Sequence, residues 1–468
     1  MSVQPTRAPA RRRARLRPLV VGLGATLAVA ACSAGDASDD VRATPSTVNA
    51  SAFPSSSGPD SAGTTPTSSS EGDHAGSTST RGAAVQPQGP SATMQTLREA
   101  PFVGAVVYPH PGYVGNPWSD WGQGLLLHDG RLLTAIGDHL GADGNSYLYV
   151  YDPERRTITQ FADVLGNVEH TDGDWGYGKV HGQIVDGGDG DAYFVTYYGA
   201  TRGLHYGGSY TGDWLFRIDS ETLELEPITV PVPQHGVPSL ASDGRGRIFG
   251  EAVDPLQPEG VYPSGGFFVF DTATRSVELF AEDPGHDGFR NVLVDGEGTA
   301  WFAHEDGRLF RWRPGSPAPE LTDVDLGGLL RASTRPTSTG TVYGVTFEPY
   351  DFFAFEPGGS VRTLGRAVWY PASLALLPDE SGFLYVPGAH GDSALVNSPL
   401  IAVNGTTGEQ TTIVELEDLV SEQLHLVLGG TYSIVVDAER NLAYVTFNAG
   451  PTMDEPWGEV VLIAVELP

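Results

Sequence analysis

A strand-and-turn signature recurs seven times between residue 149 and the end of the chain. Each copy is a short aromatic or aliphatic run, usually followed by an Asp, Asn, Glu or Pro turn. The copies are Tyr149-Val150-Tyr151-Asp152-Pro153, Leu215-Phe216-Arg217-Ile218-Asp219, Phe268-Val269-Phe270-Asp271, Phe310-Arg311-Trp312-Arg313-Pro314, Phe353-Ala354-Phe355-Glu356-Pro357, Ile401-Ala402-Val403-Asn404 and Leu462-Ile463-Ala464-Val465-Glu466. They lie roughly 40 to 70 residues apart, the period of a four-stranded propeller blade with variable loops.

A second signature precedes these copies and predicts the two inner strands of each blade. It is an apolar strand, a tight Asp/Gly turn and an aromatic strand, as in residues 292–296 before Trp301-Phe302. The predicted blades are residues 121–165, 178–231, 235–282, 287–323, 328–365, 370–417 and 430–468. The last has three strands of its own, and residues 102–108 can supply the fourth and close the ring. We therefore predict an all-β, seven-bladed β-propeller over residues 96–468, with eight blades as the alternative.

The residues before the propeller predict export and a membrane anchor. Residues 1–31 have a basic start and an apolar, small-residue stretch, which is the layout of a secretory signal peptide. They end in Val29-Ala30-Ala31, directly before Cys32. This segment resembles the bacterial lipobox, in which the cysteine is acylated with fatty acids such as palmitate. We expect a lipoprotein anchored on the extracytoplasmic side of the cell membrane; an ordinary signal peptide is the alternative. The basic start leaves Sec and twin-arginine export both open.

Composition limits the chemistry of the rest of the chain. Residues 32–95 are rich in Ser, Thr, Gly and Pro, which predicts a disordered tether. Cys32 is the only cysteine, so the chain has no internal disulfide and the propeller has no catalytic thiol. The net charge of −31 argues against nucleic-acid binding, because an acidic surface repels phosphate backbones. We expect a monomer whose partner is an extracellular carbohydrate or a surface protein.

Propeller topology gathers the candidate site residues at one face. The loops that lead into the innermost strands, and the loops between second and third strands, lie on the same face of the ring. The candidate catalytic residues in these loops are Lys179, His181, Tyr197, His235, Arg290, Arg331 and Tyr432. His181 or His235 could act as base or acid near neutral pH, helped by Tyr197 or Tyr432. The two arginines could hold a substrate carboxylate, although inter-blade salt bridges would explain them equally.

Histidines in these loops also suggest a metal site. The set is His139, His181, His235, His304 and His390, and imidazole binds many divalent metals. No compact His-x-x-x-His spacing is present, so a divalent metal cofactor depends on the fold bringing these residues together. A histidine at a strand end that only caps backbone groups is the alternative for each of them.

Three segments resemble a family of secreted bacterial propeller proteins, most of which have no assigned function. They are Gly178-Lys179-Val180-His181, Gly212-Asp213-Trp214-Leu215-Phe216-Arg217 and Pro387-Gly388-Ala389-His390-Gly391. The resemblance covers most of residues 120–450 and points to Lys179, His181 and His390. More broadly, the propeller is similar to propeller polysaccharide lyases and to the streptogramin-lyase type. That similarity implies a His or Tyr base and acid, with an Arg or a metal that neutralises a carboxylate.

The sequence leaves three functions open. The first is an enzyme that acts on an extracellular carbohydrate as a lyase or hydrolase through the His/Arg/Tyr set. The second is a non-catalytic propeller scaffold that binds a glycan or a protein. The third is a metal-dependent lactonase or phosphoesterase, which would need carboxylates such as Glu251 and Glu348 beside the histidines.

Overall fold

The chain folds into a ring of seven antiparallel sheets. The computed structural model describes residues 89–111, 118–138, 140–197, 210–253, 264–282, 291–388 and 393–468. Each sheet is one blade, and its innermost strand lines a central channel. The all-β architecture and the seven blades predicted from the repeats are confirmed.

The strands follow the chain from the first blade to the last. Three strands come first: β1 (Ser91–Thr93), β2 (Gln95–Glu99) and β3 (Phe102–Val107). Blade 1 contains β4 (Leu125–Leu126), β5 (Leu132–Gly137), β6 (Ser146–Asp152) and β7 (Thr157–Asp163). Blade 2 contains β8 (Val185–Asp186), β9 (Ala192–Val195), β10 (Leu215–Ile218) and β11 (Leu225–Thr229). Blade 3 contains β12 (Gly236–Ser242), β13 (Arg247–Val253), β14 (Ser264–Asp271) and β15 (Ser276–Ala281).

The remaining blades have the same arrangement. Blade 4 contains β16 (Leu293–Val294), β17 (Ala300–Ala303), β18 (Arg308–Trp312) and β19 (Glu320–Asp325). Blade 5 contains β20 (Leu329–Ser333), β21 (Val342–Phe347), β22 (Asp351–Glu356) and β23 (Ser360–Arg366). Blade 6 contains β24 (Ala375–Leu376), β25 (Gly382–Tyr385), β26 (Pro399–Asn404) and β27 (Gln410–Glu415). The helix α1 (Glu417–Leu424) leads to blade 7, which contains β28 (Val427–Asp437), β29 (Leu442–Gly450) and β30 (Glu459–Glu466). No helix in these described ranges is long and apolar enough to cross a membrane.

The ring closes between the two ends of the propeller. β3 pairs antiparallel with β30, with Val103 opposite Val465, and supplies the fourth strand of blade 7 as predicted. β2 then adds a fifth strand to blade 7, and β1 adds a fifth strand to blade 1. Within the described residues, the first strand begins at Ser91. These short strands are held by backbone pairing along existing sheet edges, which needs no apolar alternation.

Aromatic and aliphatic side chains fill the spaces between blades. Phe267 of blade 3 stacks on Phe302 of blade 4 with ring centroids 4.4 Å apart. Phe352 of blade 5 meets Phe383 of blade 6 edge-to-face at 5.0 Å. Aromatic residues within or directly beside the recurring signatures thus contribute to the inter-blade core. This core fixes the positions of the innermost strands, whose ends carry the candidate site.

Polar side chains also join neighbouring blades around the channel. The Gln123 side chain donates to the carbonyl of Ile434 over 3.0 Å, and Gly124 N donates to Ser433 Oγ over 3.0 Å. These contacts join blade 1 to blade 7. Leu240 N of blade 3 donates to Gln183 Oε1 of blade 2 over 3.3 Å. Most of these residues also line a cavity of about 650 Å³ in the channel, whose walls combine aliphatic side chains with polar ones such as Asp186 and Asn291.

Candidate functional site

Blade 2 places three predicted residues together at the face where the innermost strands begin, which we call the upper face. Tyr197 N donates to the carbonyl of Lys179 over 2.7 Å, so the segment before β8 lies beside the end of β9. The ring of His181 stacks on Tyr197 with centroids 4.7 Å apart. Lys179 Nζ lies 5.8 Å from the same tyrosine ring. Lys179 and His181 thus both lie beside the Tyr197 ring, as expected for residues two apart in an extended segment, whose side chains point the same way.

The hydrogen bond of His181 determines which ring nitrogen is basic. Its Nδ1 lies 2.9 Å from the carbonyl oxygen of Pro238. A carbonyl only accepts hydrogen bonds, so Nδ1 carries the hydrogen and the neutral ring has its lone pair on Nε2. The His181 side chain is therefore oriented by blade 3 while it is held on blade 2. A histidine fixed in this way has the tautomer that a general base requires.

Aromatic residues extend the group from blade 2 to blades 1 and 7. Lys179 Nζ lies 3.8 Å from the ring centroid of Trp121, well within the range of a cation–π interaction. On blade 7, Tyr432 packs against Trp121 with centroids 4.9 Å apart. Trp121 thus joins the only lysine of the sequence to the predicted Tyr432.

Arg331 lies on blade 5, at the other end of the group. Its Nε donates to the hydroxyl of Tyr370, and its guanidinium carbon lies 5.0 Å from the Tyr370 ring centroid. Tyr370 packs in the same apolar cluster as Trp121 and Tyr432. The structure therefore joins five of the seven predicted catalytic residues through aromatic contacts. We call the following residues the upper cluster: Trp121, Lys179, His181, Tyr197, Arg331, Tyr370 and Tyr432.

The upper cluster is largely shielded from water. Lys179 is 4% exposed, Arg331 is 3% exposed and His181 is 7% exposed. Charges act more strongly on one another where the effective dielectric constant is low. Lys179 and Arg331 therefore place two buried cationic side chains in the upper cluster, where their charges would act strongly on an anionic group that came close to them.

Asp120, which the sequence did not identify, joins this face through Asn448, whose place after a second strand predicted it there. Asp120 precedes Trp121 and is buried, and its backbone N and O both bond to the side-chain amide of Asn448, at 2.7 and 2.8 Å. Burial raises the pKa of Asp120 well above its ordinary value. Side-chain type alone could not reveal this burial, although Asn448 lies at the strand end where topology places upper-face residues. This contact ties the position of Trp121 to blade 7.

A second buried carboxyl links blades 2 and 3. Asp213 accepts a hydrogen bond from Val237 N over 2.8 Å, and burial raises its pKa well above the ordinary value. Its backbone N donates to the carbonyl of His235 over 3.1 Å. The Gly-Asp-Trp segment noted in the sequence therefore positions the start of β12.

The rings of two other predicted histidines make contacts away from the upper cluster. The half-buried His235 has Nδ1 2.8 Å from the carbonyl of Pro233, and its ring packs on Gly265. His304 lies in the hairpin between β17 and β18, where its Nδ1 lies 2.8 Å from Asp306 Oδ1. Of the carboxylates considered, Glu251 is buried on β13 and Glu348 is exposed.

The metal set is only partly within the described residues. His139, His390 and the candidate arginine Arg290 lie outside them. Among the described residues, no group of three or more His, Cys, Asp or Glu side chains could hold a metal ion. The five-histidine metal site therefore stays a prediction.

Comparisons with known proteins concern the fold. No protein-family model and no curated protein matches the chain. A catalytically inactive virginiamycin B lyase variant from Staphylococcus aureus, solved with quinupristin, is 8% identical with a TM-score of 0.50; the match covers 78% of this chain and 99% of that one. A streptogramin B lyase is 10% identical with a TM-score of 0.48, over 78% of this chain and 98% of that one. A chain of the mitotic checkpoint complex is 11% identical with a TM-score of 0.47, over 77% of this chain and 96% of that one. The expected likeness to the streptogramin-lyase type is confirmed at the level of the propeller fold.

Proposed function

We propose that the protein is a lyase that acts at the upper cluster on an extracellular carbohydrate bearing a carboxylate. The observation that carries this proposal is the placement of His181, with Nε2 as its basic nitrogen, against the ring of Tyr197, which the cation Lys179 also approaches. A base, a hydroxyl and a cation are the groups that β-elimination beside a carboxylate requires. Hydrolysis of a glycosidic bond usually employs a pair of carboxylates instead, and none of the seven residues of the upper cluster is Asp or Glu.

Each of these residues has one role in the proposed elimination. His181 Nε2 takes the proton from the carbon next to the carboxylate, and the electrons of that C–H bond form the new C=C bond. The bond from the neighbouring carbon to the glycosidic oxygen breaks, and the Tyr197 hydroxyl protonates the leaving oxygen. Lys179 and Arg331 neutralise the negative charge that grows on the carboxylate, which stabilises the transition state electrostatically. His181 then returns its proton to the tyrosinate.

Turnover on a panel of polyuronates tests this proposal. The panel contains polygalacturonate, alginate and a glucuronate polymer, and the product is detected by the ultraviolet absorbance of its C=C bond. His181→Ala should lower kcat by about 10²- to 10⁴-fold, the usual contribution of a general base. His304→Ala is the matched control, because His304 bonds to Asp306 within its own hairpin, and it should retain full activity.

Two results would contradict this proposal. Equal activities of the two histidine variants would exclude His181 as the base. Binding of a polyuronate without any turnover would favour the scaffold function, in which the same face only holds a glycan.

We also propose that the protein acts as a monomer anchored to the outer side of the cell membrane through Cys32. The support is that the only cysteine directly follows Val29-Ala30-Ala31 in a secretory-type leader. Cells fed labelled palmitate should incorporate label into the unsubstituted protein and not into Cys32→Ser, which should appear in the medium. Equal labelling of the two proteins would contradict the anchor.

A further inference from the structure

Two tryptophans adjoin the upper cluster, Trp457 by ring contact and Trp369 by its place in the sequence, and take no part in the proposed reaction. Trp457 stacks on Trp121 with centroids 5.5 Å apart and ring planes within 7° of parallel. Trp369 directly precedes Tyr370, the residue that bonds to Arg331, and is 43% exposed. Trp121 is 5% exposed, whereas Trp457 is half-buried. Solvent exposure therefore rises from the buried upper cluster, which we call the floor, to Trp457 and Trp369, which we call the rim.

The loop that carries Trp457 is held closely against blade 7. A Cβ added at Gly450 would lie 1.9 Å from the carbonyl oxygen of Glu455. One added at Gly429 would lie 2.5 Å from the carbonyl oxygen of Pro456. These glycines let the loop pack directly on the ends of β28 and β29. The indole of Trp457 is thus held in place before any ligand binds, which lowers the entropy cost of binding to it.

We propose that Trp369 and Trp457 bind the sugar units next to the one held in the upper cluster, so that an oligosaccharide binds end-on. The proposal rests on the proposed function and adds the mode of binding. In this mode of binding the terminal unit lies at the upper cluster, with its carboxylate near Lys179. The rim aromatics then offer flat apolar faces to the following units, continuous with the floor through the Trp457–Trp121 stack. Aromatic rings bury large apolar areas with little loss of side-chain entropy.

Binding as a function of ligand length tests this inference. The full chain is prepared with His181→Ala to prevent turnover, and galacturonate, mannuronate and glucuronate mono- and trisaccharides are titrated by calorimetry. Trp369→Ala and Trp457→Ala should each weaken trisaccharide binding about tenfold and change monosaccharide binding less than about twofold, a difference of about 1.4 kcal/mol for the longer ligand. Trp457→Tyr, which keeps an aromatic ring on Trp121, should restore most of the affinity.

Phe280→Ala is the matched control. Phe280 is also 43% exposed, but it lies on the outer strand β15 and should affect neither ligand. Equal losses of affinity for the mono- and trisaccharide would show that the tryptophans only support the floor. No loss of affinity for either ligand would show that the rim does not bind sugar. Both results overturn the inference and leave the proposed function standing. If no uronate binds at all, the substrate class itself is wrong and the rim site falls with it.

Discussion

At the scale of single residues, environment decides the chemistry more than identity does. His181 and His304 were both predicted from their positions before or after inner strands. The structure joins His181 to Tyr197 and Pro238, whereas His304 bonds to Asp306 in a short hairpin. The sequence identified both residues, but it could not separate them, because the separation depends on the direction of each ring. Asp120 was missed for the related reason that its burial comes from blade 7 packing beside it.

The buried carboxyl of Asp120 should make stability depend on pH. Its folded-state pKa is raised above the unfolded value, mainly by desolvation, so the folded state keeps a proton that the unfolded chain has lost. The resulting stabilisation is full below the unfolded pKa near 3.8 and is lost as pH rises toward the folded pKa. Asp120→Asn, which is neutral at every pH, should be more stable than the unsubstituted protein at pH 8 by on the order of 1 kcal/mol or more.

Urea unfolding of both proteins at pH 5 and pH 8 measures this effect. The advantage of Asp120→Asn should grow from the lower to the higher pH, because only the aspartate must keep its proton or become a buried charge. Asp213, whose pKa is raised for the same reason, is present in both proteins and contributes equally to each. An advantage that does not change with pH would mean that Asp120 is already ionised in the folded state.

At the scale of strands and loops, the recurrence of apolar and aromatic runs between turn residues made the blades predictable. Most inner hairpins join two such runs through a turn that contains Asp or Gly, and in blade 3 Asp243 Oδ1 accepts hydrogen bonds from Arg245 N and Arg247 N within that turn. The strands β1 and β2 were not predicted, since Ser91–Thr93 and Gln95–Glu99 are largely polar and are held by backbone pairing. Trp457 was missed because loop composition does not show which neighbour a side chain contacts.

The contact between Asn448 and Asp120 should act as a second closure of the ring beside the β3–β30 pair. Asn448 is fully buried, and both its amide oxygen and its amide nitrogen bond to the backbone of Asp120. Asn448→Ala removes two hydrogen bonds and leaves a buried N–H and C=O without them, so it should lower the free energy of unfolding by about 2 to 5 kcal/mol.

Chemical denaturation of Asn448→Ala and Asn448→Asp measures this contribution. The aspartate keeps the acceptor for Asp120 N but cannot donate to the Asp120 carbonyl, and it adds a buried charge. Asn448→Asp should therefore recover little of the free energy of unfolding that Asn448→Ala loses. Gln423→Ala, which removes a half-buried hydrogen bond to the carbonyl of Leu97, is a milder control. A loss at Asn448 no larger than the loss at Gln423 would contradict the closure role.

At the scale of the whole molecule, the contacts that hold the ring together are distinct from the residues of the candidate site. The innermost strands and the polar contacts between blades hold the ring, and the upper face gathers residues from blades 1, 2, 5, 6 and 7 that are far apart in sequence. The sequence repeat predicted which loops lie at the upper face, because blade topology determines which loops share one face of the ring. The pairing of Lys179 with Trp121 could not be predicted, since it depends on the packing of one blade against the next.

The addition of water across the cleaved bond tests the central claim, that the upper cluster catalyses elimination from a carboxylate-bearing carbohydrate. A polyuronate that the protein cleaves is digested, and the products are measured by mass spectrometry and by ultraviolet absorbance. The account predicts a fragment that carries a C=C bond and weighs one water less than its saturated counterpart, formed by the unsubstituted protein and not by His181→Ala. Saturated fragments alone, each cleavage having added one water, would show hydrolysis and would contradict the assignment of His181, Tyr197 and Lys179 to an elimination.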